Sequence, residues 1–165
     1  MRPAAPWAQK FLAAVRRSRK LHAPWVAPPA TLHAYRTYLR RLRRSIHVGY
    51  FICLCDADEI VGVVDIGQIV QGALRSAYLG YYAFTPYARQ GLMTEGLALV
   101  IRDAFRLLRL HRLEANIQPG NRASRSLARR LGFRREGYSK RYLKIRGRWR
   151  DHERWALLAD EGTRR

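Results

Sequence analysis

The chain has 165 residues, 48% of them hydrophobic, which is enough to bury one sizeable core and makes a single domain over residues 1–165 the expectation. No stretch reaches the roughly 18 consecutive apolar residues of a membrane span, and Lys10, Arg16, Arg17, Arg19 and Lys20 break up the segment where a signal peptide would be continuously apolar. The composition therefore points away from membrane and secreted classes and toward a soluble, cytoplasmic protein.

The net charge of +20 is unevenly spread. Residues 1–50 hold 11 Lys/Arg and no acid, residues 51–120 hold 6 against 7 acids, and residues 121–165 hold 15 against 5. A near-neutral centre between two basic flanks suits a polyanionic partner reached from both ends of the chain. The same pattern is also what solvated, arginine-biased helices would give.

In chain order, Phe11, Leu12, Val15 and Leu21 fall at helical spacing within residues 7–21, predicting an amphipathic first helix. Pro24, Pro28 and Pro29 make His22–Ala30 a loop with an apolar bite at Trp25 and Val26. Thr31 is placed to cap a second helix carrying Leu32, Tyr35, Leu39, Leu42 and Ile46 on one side. The period then changes: Tyr50–Cys55 and Ile60–Val70 read as strands joined at the acidic turn Asp56-Ala57-Asp58-Glu59, and Ser76–Phe84 as a third. Cys53 and Cys55 would share a face of the first strand. With no second Cys pair or nearby His to complete a metal site, and poor geometry for a disulfide, they read as reduced thiols and no metal is expected.

Pro86 and Gly91 bracket a loop that opens into a long helix with Leu92, Leu97, Val100, Ile101, Ala104, Phe105 and Leu108 on its buried side. Arg112–Gln118 is a short strand, Asn121 an N-cap, Arg122–Leu131 a helix and Gly132 its stop. Phe133–Ile145 and Arg148–Leu158 form a hairpin around Arg146-Gly147. The order α-α-β-β-β-α-β-α-β-β specifies an α/β fold with a mixed sheet and helices on both faces.

A strand feeding a glycine loop that opens into a helix is an anion site in waiting, because the first helical N–H groups lack acceptors and the helix dipole is positive there. Phe84–Glu95 has this form. Its one glycine, Gly91, matches neither the dinucleotide fingerprint nor the P-loop. Taken alone, it is little more than a strand-to-helix turn with an arginine, Arg89, nearby.

The motifs Tyr78-Leu79-Gly80-Tyr81, Arg89-Gln90-Gly91-Leu92-Met93-Thr94-Glu95, Asn121-x-x-Ser124-x-x-Leu127 and Leu131-Gly132-Phe133, followed by Glu136-Gly137-Tyr138 and Gly147-x-Trp149-Arg150-Asp151-His152, together resemble the GNAT superfamily of N-acetyltransferases. The tail is similar to the ribosomal-protein-alanine N-acetyltransferases of the RimJ type. The resemblance runs from about Trp25 onward and implies the acyl-CoA N-acyltransferase fold with a mixed, largely antiparallel sheet. It implies acetyl-CoA as cofactor, CoA as product, and cofactor contacts at Ala83, Phe84, Thr85, Arg89, Gln90, Gly91, Leu92, Met93, Thr94, Asn121 and Ser124. Two departures stand out. Of the family's three loop positions, here Ala88, Gly91 and Met93, only Gly91 matches, and only Met1–Pro6 is available for the strand that usually precedes the first helix.

The implied chemistry is direct acetyl transfer to a primary amine. Family members often place a tyrosine on the helix after the Asn as general acid, but Ala128 stands there, leaving Ser124 as the hydroxyl candidate. A helix serine bonding to its own turn is the competing role for it. Glu114 and Asn116 alternate on one strand and face the same way, so they are the candidates for handling the amine proton. Glu114 could act through water or simply pair with an arginine; Asp151 and His152 are a third option.

By resemblance, the first two helices and the last hairpin flank the acceptor cleft. The resemblance implies a protein N-terminus, ribosomal in the first instance, as the acceptor; the charge suits ribosome or rRNA contact through the flanks, and no membrane association and a monomer or homodimer are expected. The competing readings are a small-molecule amine acetyltransferase and a ribosome- or RNA-binding factor with a degenerate acetyltransferase fold.

Overall fold

The computed structural model describes residues 1–55 and 57–162; Asp56, the first residue of the acidic turn, and residues 163–165 lie outside the described residues. A 3-10 turn at Ala5–Trp7 leads into helices α1 (Ala8–Arg17), α2 (Arg19–His22) and α3 (Leu32–Leu42). Strands β1 (His47–Cys53), β2 (Ile60–Val70) and β3 (Ser76–Ala83) form an antiparallel meander. Then come α4 (Leu92–Arg106), β4 (Arg112–Ile117), α5 (Arg122–Arg130), β5 (Arg134–Ile145), β6 (Arg148–Leu158) and the short α6 (Ala159–Gly162). The six strands make one sheet in the order β1-β2-β3-β4-β6-β5, antiparallel throughout except for the parallel β3–β4 pair.

Local chemistry sets most boundaries where the sequence places them. Thr31 accepts the Ala34 N–H through its hydroxyl, and Asn121 accepts the Ser124 N–H. Gly132, at φ 90, occupies the left-handed position just past α5. Arg146 and Gly147 both have positive φ, the backbone that a two-residue hairpin with right-handed strand twist requires.

Three expectations need correction. The first helix breaks at Ser18, which is fully buried because its hydroxyl accepts the backbone N–H of Thr85, 67 residues away. The second ends at Leu42, so Ile46 lies beyond it, and both Ile46 and Leu32 are exposed rather than buried. The first strand ends at Cys53, where a bulge shifts the pairing with β2, so Cys53 and Cys55 do not share a strand face. Residues Met1–Pro6 make no strand of their own; Met1 alone exchanges two backbone hydrogen bonds with Phe51.

The sheet is covered on both faces. Phe11, Tyr35, Tyr38, Phe51, Val63 and Phe84 form a largely aromatic core under α1 and α3. On the opposite face Val64, Leu79, Leu113 and Trp155 pack in one cluster with Leu97 and Ile101 of α4 and Ala128 of α5. Glu153 is buried there, with its carboxylate accepting the Trp155 indole N–H at 3.1 Å and paired with Arg125 and Arg135. Those three partners make burial of that charge tolerable. Among the described residues no helix is long and apolar enough to cross a membrane.

Candidate active site

The site originates in the parallel pair. β3 and β4 are joined only at Ser76/Arg112, Ala77/Leu113 and Tyr78/Glu114. Beyond Tyr78, β3 stays with β2 as far as Ala83, while β4 stays with β6 as far as Ile117. The two halves of the sheet part, and a cavity of about 660 Å³ occupies the gap. Gly80, Tyr81 and Ala83 form one wall and Ala115–Gln118 the other, so the cavity reaches both faces of the sheet.

On the α4 side the cavity meets the glycine loop. Gly91 caps α4 at φ 85, and its carbonyl accepts the N–H groups of Thr94 and Glu95. The N–H groups of Leu92 and Met93 precede any possible intrahelical acceptor, and a Cβ on Gly91 would meet only open space. A left-handed glycine, a helix start and open room above them suit a diphosphate. Arg89, itself at φ 67, lines the cavity with Gly91, Met93 and Thr94.

Not every residue expected here reaches the cavity. Gln90 is exposed and donates to the Pro86 carbonyl, and Leu92 packs against the core. Ala83 lines the cavity, but Phe84 is buried in the aromatic core and gives its N–H to Val61. Thr85 gives its N–H to Ser18. The backbone N–H donors of Phe84 and Thr85 are therefore already spent within the protein.

Across the gap, α5 contributes Asn121 and Ser124. The Ser124 hydroxyl donates to the Tyr81 hydroxyl at 2.9 Å, and Tyr81 donates in turn to the Ser124 carbonyl at 3.2 Å. Burial pushes the Tyr81 phenol up to about 12, against a smaller lowering by the Ser124 hydroxyl, so it stays protonated at neutral pH. Ala128, at the position the resemblance matches to a tyrosine, is buried against the core. The Ser124 hydroxyl thus stands at the cavity as one of a Ser124–Tyr81 pair, and Tyr81 is a functional candidate missed in the sequence because its partner comes from another element.

The proton-handling candidates separate. Glu114 is off the cavity: Arg112 donates to it at 2.8 Å and also grips Glu136, so its carboxylate belongs to an ion-pair cluster. Asn116 lines the cavity, and its Oδ1 is buried without a hydrogen-bond donor. Asp151 sits on the hairpin surface, accepting the Tyr138 hydroxyl and the Arg141 N–H, which hold its carboxyl below the usual range. His152 is buried and lines the cavity, its Nδ1 bonded to the Arg150 carbonyl.

On the α3 side a second cavity of about 410 Å³ shares Val26, Gly80, Tyr81 and Tyr82 with the first. Its one carboxylate, Asp65, accepts the Tyr38 hydroxyl at 2.8 Å and pairs with Arg41 at 3.3 Å; burial raises its pKa. One arginine from each basic flank stands at this mouth, Arg41 in its lining and Arg146 against Val26. Arg146 of the hairpin donates to the Val26 carbonyl, and Gln118 donates to that of Trp25.

A sheet parted between two strands, with an anion loop on one side and a buried polar cleft on the other, is the layout of a CoA-dependent acyltransferase. The profile of the acetyltransferase (GNAT) domain matches residues 2–134, and the chain belongs to that family. It is 43% identical over 108 residues to the [ribosomal protein uS5]-alanine N-acetyltransferase of Escherichia coli, an alignment covering 66% of this chain and 56% of that enzyme. The chain thus spans little more than half the length of that relative. Among solved structures it is similar to Mycobacterium smegmatis RimJ in complex with CoA-disulfide, with a TM-score of 0.87, 31% identity, and coverage of 96% of this chain and 81% of that one. A ribosomal-protein-S5-alanine acetyltransferase from Vibrio fischeri shares the fold at a TM-score of 0.84 and 23% identity, covering 99% and 93%.

Proposed function

We propose that this chain, working as one domain in the cytoplasm, transfers the acetyl group of acetyl-CoA directly to the α-amine of a ribosomal protein's N-terminus. The observation that carries this reading is the cavity at the β3–β4 parting, which joins the anion loop to a polar acceptor side. The identity shared with the uS5-alanine enzyme supports the choice of acceptor.

Acetyl-CoA, when bound, supplies an acyl group activated as a thioester. Arg89, Gly91, Met93, Thr94 and the start of α4 would hold its diphosphate, with Asn121 and Ser124 on the facing helix. Ser124, backed by Tyr81, is a hydroxyl donor for developing negative charge. Asn116 Oδ1, unpaired and buried, is an acceptor for an amine N–H, although an amide cannot take the proton itself.

Magnitudes favour an α-amine. Such groups titrate near ~7.7–8.0 and lysine near ~10.4, so at neutral pH a sizeable fraction of the first is neutral and only about one in a thousand of the second. Arginines at the mouth would lower the amine's pKa further. They also oppose a polyamine, since the one carboxylate of the second cavity already pairs with Arg41.

The test is a comparison of initial rates with a peptide bearing a free N-terminus, the same peptide with a blocked N-terminus and a lysine, and spermidine. The first should exceed the others by at least tenfold. Faster turnover of spermidine would favour the small-amine reading. Contact with rRNA through the basic flanks carries its own prediction: binding to ribosomal particles should weaken steeply between low and physiological salt. Salt-independent binding would remove counterion release from the account.

A further inference from the structure

Two buried acceptor atoms in or beside this cavity lack a donor. One is Asn116 Oδ1; the other is Nδ1 of His22, a residue only 3% exposed at the end of α2 that also lines the cavity. Its Nε2 lies 2.8 Å from the Ala83 carbonyl. A carbonyl can only accept, so Nε2 carries the hydrogen and Nδ1 is a bare lone pair. The ring is held by that bond and by edge contacts to Tyr82 and Phe84. Nδ1 is closed off from water, so an amine N–H meets it only as the side chains around the cavity shift on binding; leaving a buried acceptor unpaired is costly, and a bound N–H group would relieve the cost.

We propose that His22 is the base of the acceptor cavity, its Nδ1 accepting an N–H of the bound neutral amine and taking that proton as the nitrogen is acylated. Amide formation obliges the amine to shed one proton: the C–N bond forms as the thioester C–S bond breaks, the amine N–H bond breaks and an Nδ1–H bond forms, the departing thiolate takes a proton from solvent, and the imidazolium gives its own back to water once the product has left. Glu114, tied to Arg112, is spared this task, and Asn116 orients the amine without titrating.

The groups acting on the imidazole support the assignment. Burial, chiefly, holds its pKa below the ordinary imidazole value, the Ala83 carbonyl opposes this, and Arg146 of the hairpin lowers it again. Tyr82, the β3 side chain against the ring, is kept protonated by its own burial, as Tyr81 is. The free-base form is thus the one present at neutral pH. Because the folded pKa is depressed, the neutral ring's contribution to stability is present above the unfolded value near ~6.5 and is lost as pH falls through the folded one.

The proposal rests on the reading of this cavity as an amine site, and the experiment separates the two. Nitrogen-15 NMR of the wild-type protein should show His22 with a bare Nδ1 whose resonance moves when a free-N-terminus peptide is added and not when the blocked peptide is. In parallel, His22→Gln, which can keep a donor to Ala83 but has no base, should lower kcat/KM about 100-fold or more and flatten the acidic limb that is left in its pH profile once titration of the free amine is divided out. Acetyl-CoA-dependent thermal stabilisation should be kept. His152→Gln is the control, because His152 is the other histidine lining the cavity. If the acidic limb follows His152, or persists in His22→Gln, the His22 assignment is overturned while the amine site stands. If wild-type protein acetylates no amine and the resonance ignores the peptide, the reading of the cavity fails first.

Discussion

Replacing Gly91 with valine is expected to abolish acetyl-CoA-dependent stabilisation while leaving the apo protein folded. Gly91 has φ 85 and ψ −24, a region that a β-branched residue enters only at a cost of about 1–3 kcal/mol. Space is not the obstacle, since a Cβ there meets nothing within 4 Å. The cost falls on conformation, and the loop can relieve it by turning away from the start of α4. That movement would take the Leu92 and Met93 amides and Arg89 out of register with the diphosphate. Wild-type protein with acetyl-CoA at ~100 times its Kd should gain about 2.7 kcal/mol, roughly 5–10 °C in Tm for a domain of this size. The variant should gain almost nothing. A wild-type protein that showed no gain would instead favour a degenerate factor that has kept only the fold.

Trp155→Ala should be the most damaging single core truncation, costing about 3–5 kcal/mol and lowering Tm by the order of 10 °C. The indole is among the largest fully enclosed side chains and sits opposite Ala115 of β4. On its other side the Arg129 guanidinium of α5 lies over the ring at 5.6 Å. Removing it opens a cavity beneath the strand and the helix that supply Asn116 and Ser124. It also takes a hydrogen-bond donor from the buried Glu153 carboxylate. Trp155→Phe keeps most of the volume and loses only that donor, so it should cost about 1–3 kcal/mol. Urea unfolding resolves the two; equal losses would mean that the buried carboxylate, not the packing, dominates.

What could be read in advance follows the range of the interactions. β2, the β5–β6 hairpin and the caps at Thr31, Asn121 and Gly132 are set by neighbours within a few residues, and pattern and turn chemistry reveal them. The break at Ser18 answers to Thr85 and was not visible locally. The same holds for the site. Glu114 had its partner two residues upstream on the same strand face, so its pairing with Arg112 was within reach of the sequence. His22 had no such signal, because what defines it is the carbonyl of Ala83, 61 residues away. Tyr81 likewise gains its role only when β3 and α5 face one another across the gap. The resemblance named the loop and the cofactor; the divided sheet shows which loop residues reach the cavity and which spend their donors elsewhere.

Transfer of an acetyl group from this cavity to a protein's N-terminal amine, as proposed, can be read directly on its products. The most direct measurement is mass mapping of an unacetylated set of ribosomal proteins after incubation with the purified chain and acetyl-CoA. A single acetyl group is expected, on the α-amine of one or a few of them. Acetylation confined to lysine side chains, or none at all from protein that binds acetyl-CoA normally, would contradict it.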